Sequence, residues 1–429
     1  MSSLASLRES WLGDPPRFRV LSLPLPLFSS VTLGLWVGVG SRDEPEEESG
    51  ASHLIEHLVF KGTEHHPQAR EIACLMDLLG GQVNAFTGKE ATCFYARVLG
   101  EKRREALELL FDLVFHPLFR PEDLEREKAV VLEEIRMYED SPEEVVHDAF
   151  TRALWGEHPL GREVQGRRET VEGMGEEAVR EHFRRFYRQE NMLLVAVGSF
   201  EPQRLEEEVA ELLPRGDGGS GTQRPSRREP PSPRVGREVR EKDLEQVHLC
   251  LGWPGVPLGH EDIYRLHLLG GVLGGGTSSR LFQELREKRG LCYSVYAFHQ
   301  AFGDAGLFGV YLATSPEKAP QALELVGEEL LKLCREGVGE EELSRHRDQV
   351  KARLLLGLES PSGLMNHIGR DALLLGRVRE VEEIARGLDA ADRRGLSEMA
   401  ERVLSREPSL GLVGPPGAGE RLSLGWGRV

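Results

Sequence analysis

The chain changes hydrophobic period several times. Residues 17–40, RFRVLSLPLPLFSSVTLGLWVGVG, are rich in Val, Leu and Phe with a polar break at Ser29-Ser30, and predict two strands. Apolar positions then recur every three or four residues, predicting helices over 50–62 and 67–80. The β-branched and aromatic stretch VNAFTGKEATCFYARV predicts a strand through 82–98. Spaced apolar residues predict further helices at 102–115, 121–139 and 142–155, and Met192–Val197 is an almost wholly apolar strand.

Between Pro214 and Gly236 this patterning stops. The segment PRGDGGSGTQRPSRREPPSPRVG is dominated by Gly, Pro, Ser and Arg and predicts a linker. The expected organisation is a domain at 1–213, a linker at 214–236 and a domain at 237–429. At a fixed offset of 219, Leu124 falls on Leu343, Arg126 on Arg345, Val131 on Val350, Ser141-Pro142 on Ser360-Pro361 and Ala153-Leu154 on Ala372-Leu373. In both places a charged helix ends at Ser-Pro and a second helix begins, so the halves read as a duplication.

Composition narrows the class. With 429 residues, 39% hydrophobic and 29% charged, the chain matches a soluble globular protein of two or more cores. No apolar run approaches the roughly 18 residues needed to span a bilayer, so no membrane association is expected. The first twenty residues lack a basic segment followed by an apolar one, which argues against a secretory signal. The five scattered cysteines form no C-x-x-C pair, so neither a disulfide framework nor a thiolate metal site is expected, and a reducing cytoplasm fits. A net charge of −17 argues against nucleic-acid binding and permits attraction of cationic peptides.

Residues 53–57 carry the candidate chemistry: His53-Leu54-Ile55-Glu56-His57. On a helix the two histidines are one turn apart and Glu56 shares their face. Such a pair of imidazoles can hold one Zn²⁺, and the carboxylate between them is placed to accept a proton from water. Taken alone, the spacing also arises by chance. A catalytic zinc usually has three protein ligands. The helix at 124–139 puts Glu127 and Glu134 seven residues apart on one face, which suggests Glu134 as third ligand and Glu127 as support for a histidine. Glu133 is the alternative ligand, pointing about 100° away around the helix.

The run Gly50-Ala51-Ser52-His53-Leu54-Ile55-Glu56-His57-Leu58-Val59-Phe60-Lys61-Gly62-Thr63 closely resembles the pitrilysin-type zinc metallopeptidases. Glu127 and Glu134 match that family's paired glutamates, and Asn84-Ala85-Phe86-Thr87 matches the strand that pairs with substrate backbone. The loop Gly274–Phe282, followed by Arg286 and Tyr293, matches its glycine-rich loop and substrate-contacting Arg/Tyr pair. The resemblance implies an α+β fold of two homologous domains, each a largely antiparallel sheet with helices on one face, forming half of a clamshell. It implies a zinc endopeptidase acting on unfolded peptides in an enclosed chamber. Its catalytic residues would be Glu56, Arg286 and Tyr293, its ligands His53, His57 and Glu134, and its substrate strand Asn84, Ala85 and Phe86. The expected assembly is a homodimer, or a heterodimer with a homologous subunit, in which Arg286 and Tyr293 serve the partner's zinc site. The rival expectation is a non-catalytic assembly subunit; such relatives usually lose a ligand or the catalytic glutamate, and none is lost here.

At the offset of 219, Glu134 falls on Arg353 and Glu127 on His346, and no H-x-x-E-H recurs in the second half, so one zinc per chain is expected. His65 and His66 read as surface loop, and His147 and His182 as packing residues on helices. Gly270–Ser279 lacks the Gly-Lys-Ser/Thr ending of a phosphate-binding loop.

Overall fold

The computed structural model describes residues 4–15, 17–214 and 228–422. The first sheet comprises β1 (Arg8–Leu12), β2 (Phe18–Pro24), β3 (Ser30–Val37), β4 (Gln82–Thr87), β5 (Thr92–Leu99) and β6 (Met192–Gly198), in the order β1-β2-β6-β3-β5-β4. The second comprises β7 (Arg237–Glu241), β8 (Val247–Pro254), β9 (Cys292–Ala301), β10 (Gly306–Thr314) and β11 (Ser409–Gly414), in the order β7-β11-β8-β10-β9. Among the described residues, only β2/β6 and β7/β11 are parallel pairs. Without β1, the two sheets have the same strand order and the same pairing senses, as a duplication requires.

The helices are α1 (Ala51–Leu58), α2 (Ala69–Leu79), α3 (Arg103–Phe115), α4 (Pro121–Glu139), α5 (Pro142–Trp155), α6 (Arg168–Gly173), α7 (Glu176–Phe186) and α8 (Pro202–Leu212). In the second half they are α9 (Ile263–Gly274), α10 (Ala319–Glu336), α11 (Glu340–Gly357), α12 (Pro361–Leu374), α13 (Val381–Asp389) and α14 (Arg393–Leu404). The starts of α4 and α11, and those of α5 and α12, are separated by the offset seen in the sequence. The fold is thus α+β with two related, largely antiparallel sheets. Among the described residues, no helix is long and apolar enough to cross a membrane.

The packing units cross the expected domain boundaries. One unit takes the residues up to Arg136 with Glu163–Arg228 and Leu356–Glu380; the other takes Met137–Arg162, Glu229–Leu355 and the residues from Val381 onward. The cause is an exchange of equivalent helices. In the first unit α12 covers β3, where Trp36 Nε1 donates to Met365 Sδ at 3.3 Å and the Trp36 indole occupies the space over Gly369. In the second unit α5 covers the sheet, with the Phe150 ring in the space over Gly252 and the Phe150 backbone against Gly411. Each exchanged helix buries a hydrophobic face on the sheet it covers, so packing follows those faces rather than the Gly/Pro-rich stretch.

Two other expectations are corrected. The single strand over 82–98 is a hairpin, β4–β5, because Gly88-Lys89-Glu90 forms a turn closed by Gly88 N–H donating to the Ala91 carbonyl at 2.8 Å. Of the expected linker, residues 215–227 lie outside the described residues, and its end is tied down. Arg228 makes a two-pronged contact with Asp43, at 2.8 and 2.7 Å, and Arg234 N–H donates to the Leu154 carbonyl at 2.9 Å.

Candidate metal centre

α1 is built as a support for its polar face. Ala51, Leu54, Ile55 and Leu58 recur at helical spacing and are at most 1% exposed, leaving His53, Glu56 and His57 on the other side. Gly50 precedes it at φ +100°, and a side chain there would meet the Gln165 carbonyl oxygen at 2.6 Å, so only glycine fits. On α4, the inward stripe Leu124, Glu127, Val131 and Ile135 is buried, and Glu134 stands at its edge.

The two helices bring three candidate ligands together. Glu134 Oε2 lies 3.5 Å from His53 Nε2 and 3.5 Å from His57 Nε2. Ligand atoms held tetrahedrally by zinc at about 2.0–2.1 Å stand roughly 3.3–3.4 Å apart, so the spacing already suits the ion. His53, His57 and Glu134 form the one such cluster among the described residues. Glu133 instead pairs with Arg136 on the exposed side of α4 and lies outside this cluster.

Neighbouring groups set the protonation of these side chains. Glu127 Oε2 lies 3.4 Å from His57 Nδ1 while its other oxygen meets Lys61 Nζ at 2.9 Å. The carboxylate thereby fixes the proton on Nδ1 and leaves Nε2 free to face Glu134. Burial opposes charge on His57, yet Glu127, Glu134 and Glu56 outweigh it and raise its pKa. His53 goes the other way: burial, then the neighbouring His57, pushes it down to about 4. Burial pushes the Glu56 carboxyl up, a trend offset in part by a hydrogen bond from Thr87 and by His57 and reinforced by Glu134.

Zinc competes with protons for neutral imidazole, and of the two rings His57 is the one whose pKa is raised. If the cluster holds zinc, its affinity should fall by about tenfold per unit as the pH drops from about 6.5 to 5, since one proton is displaced. Titration against a chromophoric chelator at several pH values measures the slope. A slope of two would mean both imidazoles titrate together and would contradict this electrostatic picture.

β4 runs beside α1 as the last strand of its sheet. Asn84 and Phe86 are exposed and Ala85 is buried between them; the Phe86 ring meets Trp36 edge-on at 5.5 Å. Thr87, at the end of the strand, donates to Glu56 Oε2 at 2.5 Å. The sequence pattern contained Thr87 without indicating this bond, which depends on the docking of β4 against α1. Arg286 and Tyr293 belong to the second unit. The Arg286 guanidinium lies 4.8 Å from the Phe282 ring centre and 4.7 Å from that of Tyr293, which is 77% exposed. These aromatic faces hold a cation next to an accessible phenol.

The second copy carries different side chains at the equivalent positions. Arg353, the counterpart of Glu134, donates to the Gly275 carbonyl at 2.7 Å, and His346, the counterpart of Glu127, is buried.

Residues 19–168 match the profile described as insulinase (peptidase family M16), and residues 174–350 match the one described as the peptidase M16 inactive domain. A protein of Bacillus subtilis named as the uncharacterised zinc protease YmxG is 39% identical over 91% of this chain and 95% of its own length. The chain belongs to peptidase family M16. Among solved structures, a protease from Helicobacter pylori aligns with a TM-score of 0.86 at 21% identity, covering 95% of this chain and 99% of its own. A peptidase M16 inactive domain from Pseudomonas fluorescens aligns with a TM-score of 0.85 at 21% identity, covering 95% and 98%. These two likenesses concern the fold alone. Membership in M16 associates the chain with a peptidase role and with zinc, at the level of the family.

Proposed function

We propose that this M16 protein is a zinc-dependent endopeptidase, with one zinc per chain held by His53, His57 and Glu134. The observation that carries the reading is the convergence of two imidazole Nε2 atoms and one carboxylate oxygen at 3.5 Å, with a fourth side chain, Glu56, on the same face and outside the ligand set. Zinc bound there supplies a Lewis acid that polarises a carbonyl and acidifies water.

The chain's own residues supply the rest of the proposed chemistry. Glu56 accepts a proton from the attacking water and returns it to the leaving amine, its carboxylate oriented by Thr87. A carboxylate raised by burial is a better base than an exposed one, because its proton affinity is closer to that of the groups it serves. Asn84, Ala85 and Phe86 offer a sheet edge to which an extended peptide adds as a strand. An unfolded peptide meets that requirement and a folded domain does not. Arg286 and Tyr293 donate to the developing oxyanion.

The assembly proposed is a homodimer, with Arg286 and Tyr293 of each subunit acting on the other's zinc site. Mixing Glu56→Gln and Tyr293→Phe chains tests it. With random re-association about half the dimers are mixed, and in a shared-site dimer both defects fall in one site and leave the other intact. Activity should recover to roughly a quarter of wild type. No recovery from confirmed mixed dimers would mean that Tyr293 serves its own chain or has no catalytic part. A heterodimer with another homologue would appear as a poorly active chain rescued by that partner.

A further inference from the structure

The two imidazoles of the metal centre are held unequally. His57 is fixed through its second nitrogen by Glu127, and Glu127 by Lys61. His53 Nδ1 is buried and has no hydrogen-bond partner among the described residues. A ring without that second bond takes its orientation from side-chain packing and from the position of its own backbone. The backbone in question is the first turn of α1, an eight-residue helix too short to hold its geometry alone.

That turn sits on a buried polar cluster that has no part in the proposed chemistry. The Glu44 carboxylate, 2% exposed, accepts the N–H groups of Gly50 at 2.7 Å and Ser52 at 2.8 Å. It does for the helix what a capping side chain would do, since Gly50 has none to offer. The Ser52 hydroxyl, next to His53 in the chain, meets His182 Nε2 at 3.2 Å. His182 comes from α7, is 1% exposed, has its ring centre 4.7 Å from that of Phe186 at a tilt of 51°, and has its Nδ1 3.7 Å from Glu48 Oε2. Thr170 adds a hydroxyl bond to the Ser49 carbonyl at 2.7 Å. His182 Nδ1 is buried without a hydrogen-bond partner among the described residues, so the cluster carries a polar cost, and the bonds it does make converge on residues 49–52.

We infer that Glu44 and His182 are positioning residues of the metal centre, which hold the first turn of α1 through Ser52 and so determine where His53 presents Nε2. The inference rests on the zinc reading above. Neither residue touches metal or peptide, and His182 acquires a task beyond the core packing its helical position suggests.

The test uses the full chain, freed of metal, and two readouts. Zinc affinity is measured against a chromophoric chelator, and the visible absorption of bound Co²⁺ reports the ligand geometry. His182→Ala should weaken zinc by about 10- to 100-fold and shift the cobalt bands, as losses of outer supports around metal ligands do. His182→Gln, which keeps a polar atom near the Nε2 position, should recover most of both. Ser52→Ala, a one-atom deletion, should give the same direction of change if His182→Ala does not fold. Glu208→Gln is the control: it breaks the buried bridge to Arg103 in the same unit, so it should lower Tm and leave both readouts alone. A folded His182→Ala or Ser52→Ala with wild-type affinity and an unshifted spectrum overturns the inference. A wild-type chain that binds neither metal overturns the zinc reading itself, and this inference with it.

Discussion

Glu56→Gln is expected to keep its zinc and to lose peptide hydrolysis by a factor of about 10²–10⁴, the range for removal of a general base. The three ligand atoms of the proposed site come from His53, His57 and Glu134, and Glu56 instead receives the Thr87 hydroxyl at 2.5 Å. Glutamine has the same shape and its carbonyl oxygen can still accept that bond, so the helix and the ligand cluster should persist. It cannot take up a proton at neutral pH. Metal content by mass spectrometry of the native chain and turnover of an unstructured peptide separate the two properties. Intact zinc with near-normal turnover would take Glu56 out of the mechanism, and lost zinc would place it among the ligands.

Glu134→Gln should produce the opposite pattern, with zinc and activity lost together. A neutral amide is a far poorer ligand than a carboxylate, and the loss should exceed the roughly 10- to 100-fold caused by changes outside the ligand set. Glu133→Gln is the matched control, one residue away on the same helix, and should bind zinc as the wild type does because Glu133 faces Arg136. If Glu133→Gln loses the metal and Glu134→Gln keeps it, the ligand assignment is reversed.

The parts of the site that were legible in the sequence are those that one helix encodes by itself. His53, Glu56 and His57 share a face because of their spacing, and Glu127 and Glu134 share another for the same reason. The duplication was legible because the Ser-Pro helix start recurs in register, and the sheets repeat the same order of strands. What stayed hidden depends on contacts between segments far apart in the chain. Thr87 reaches Glu56 only because β4 docks beside α1, and nothing in either segment alone indicates it. Glu44 and His182 flank the first turn of α1 from positions that look like loop acid and packing histidine. The exchange of α5 and α12 is invisible for a related reason: equivalent helices carry similar apolar faces, so pattern alone cannot say which sheet each one covers. Gly88-Lys89-Glu90 was a turn read as strand because apolar residues on both sides outweighed it.

Incubating the purified chain with a mixture of unstructured peptides, with and without a chelator, and reading the products by mass spectrometry asks whether this chain cuts peptides with a zinc held by His53, His57 and Glu134. Internal cleavages are expected that vanish with the chelator, return when Zn²⁺ is restored, and are absent from Glu56→Gln at full zinc occupancy. A zinc-loaded wild-type chain that leaves every peptide intact would rule out the peptidase and favour a subunit that assembles without cutting.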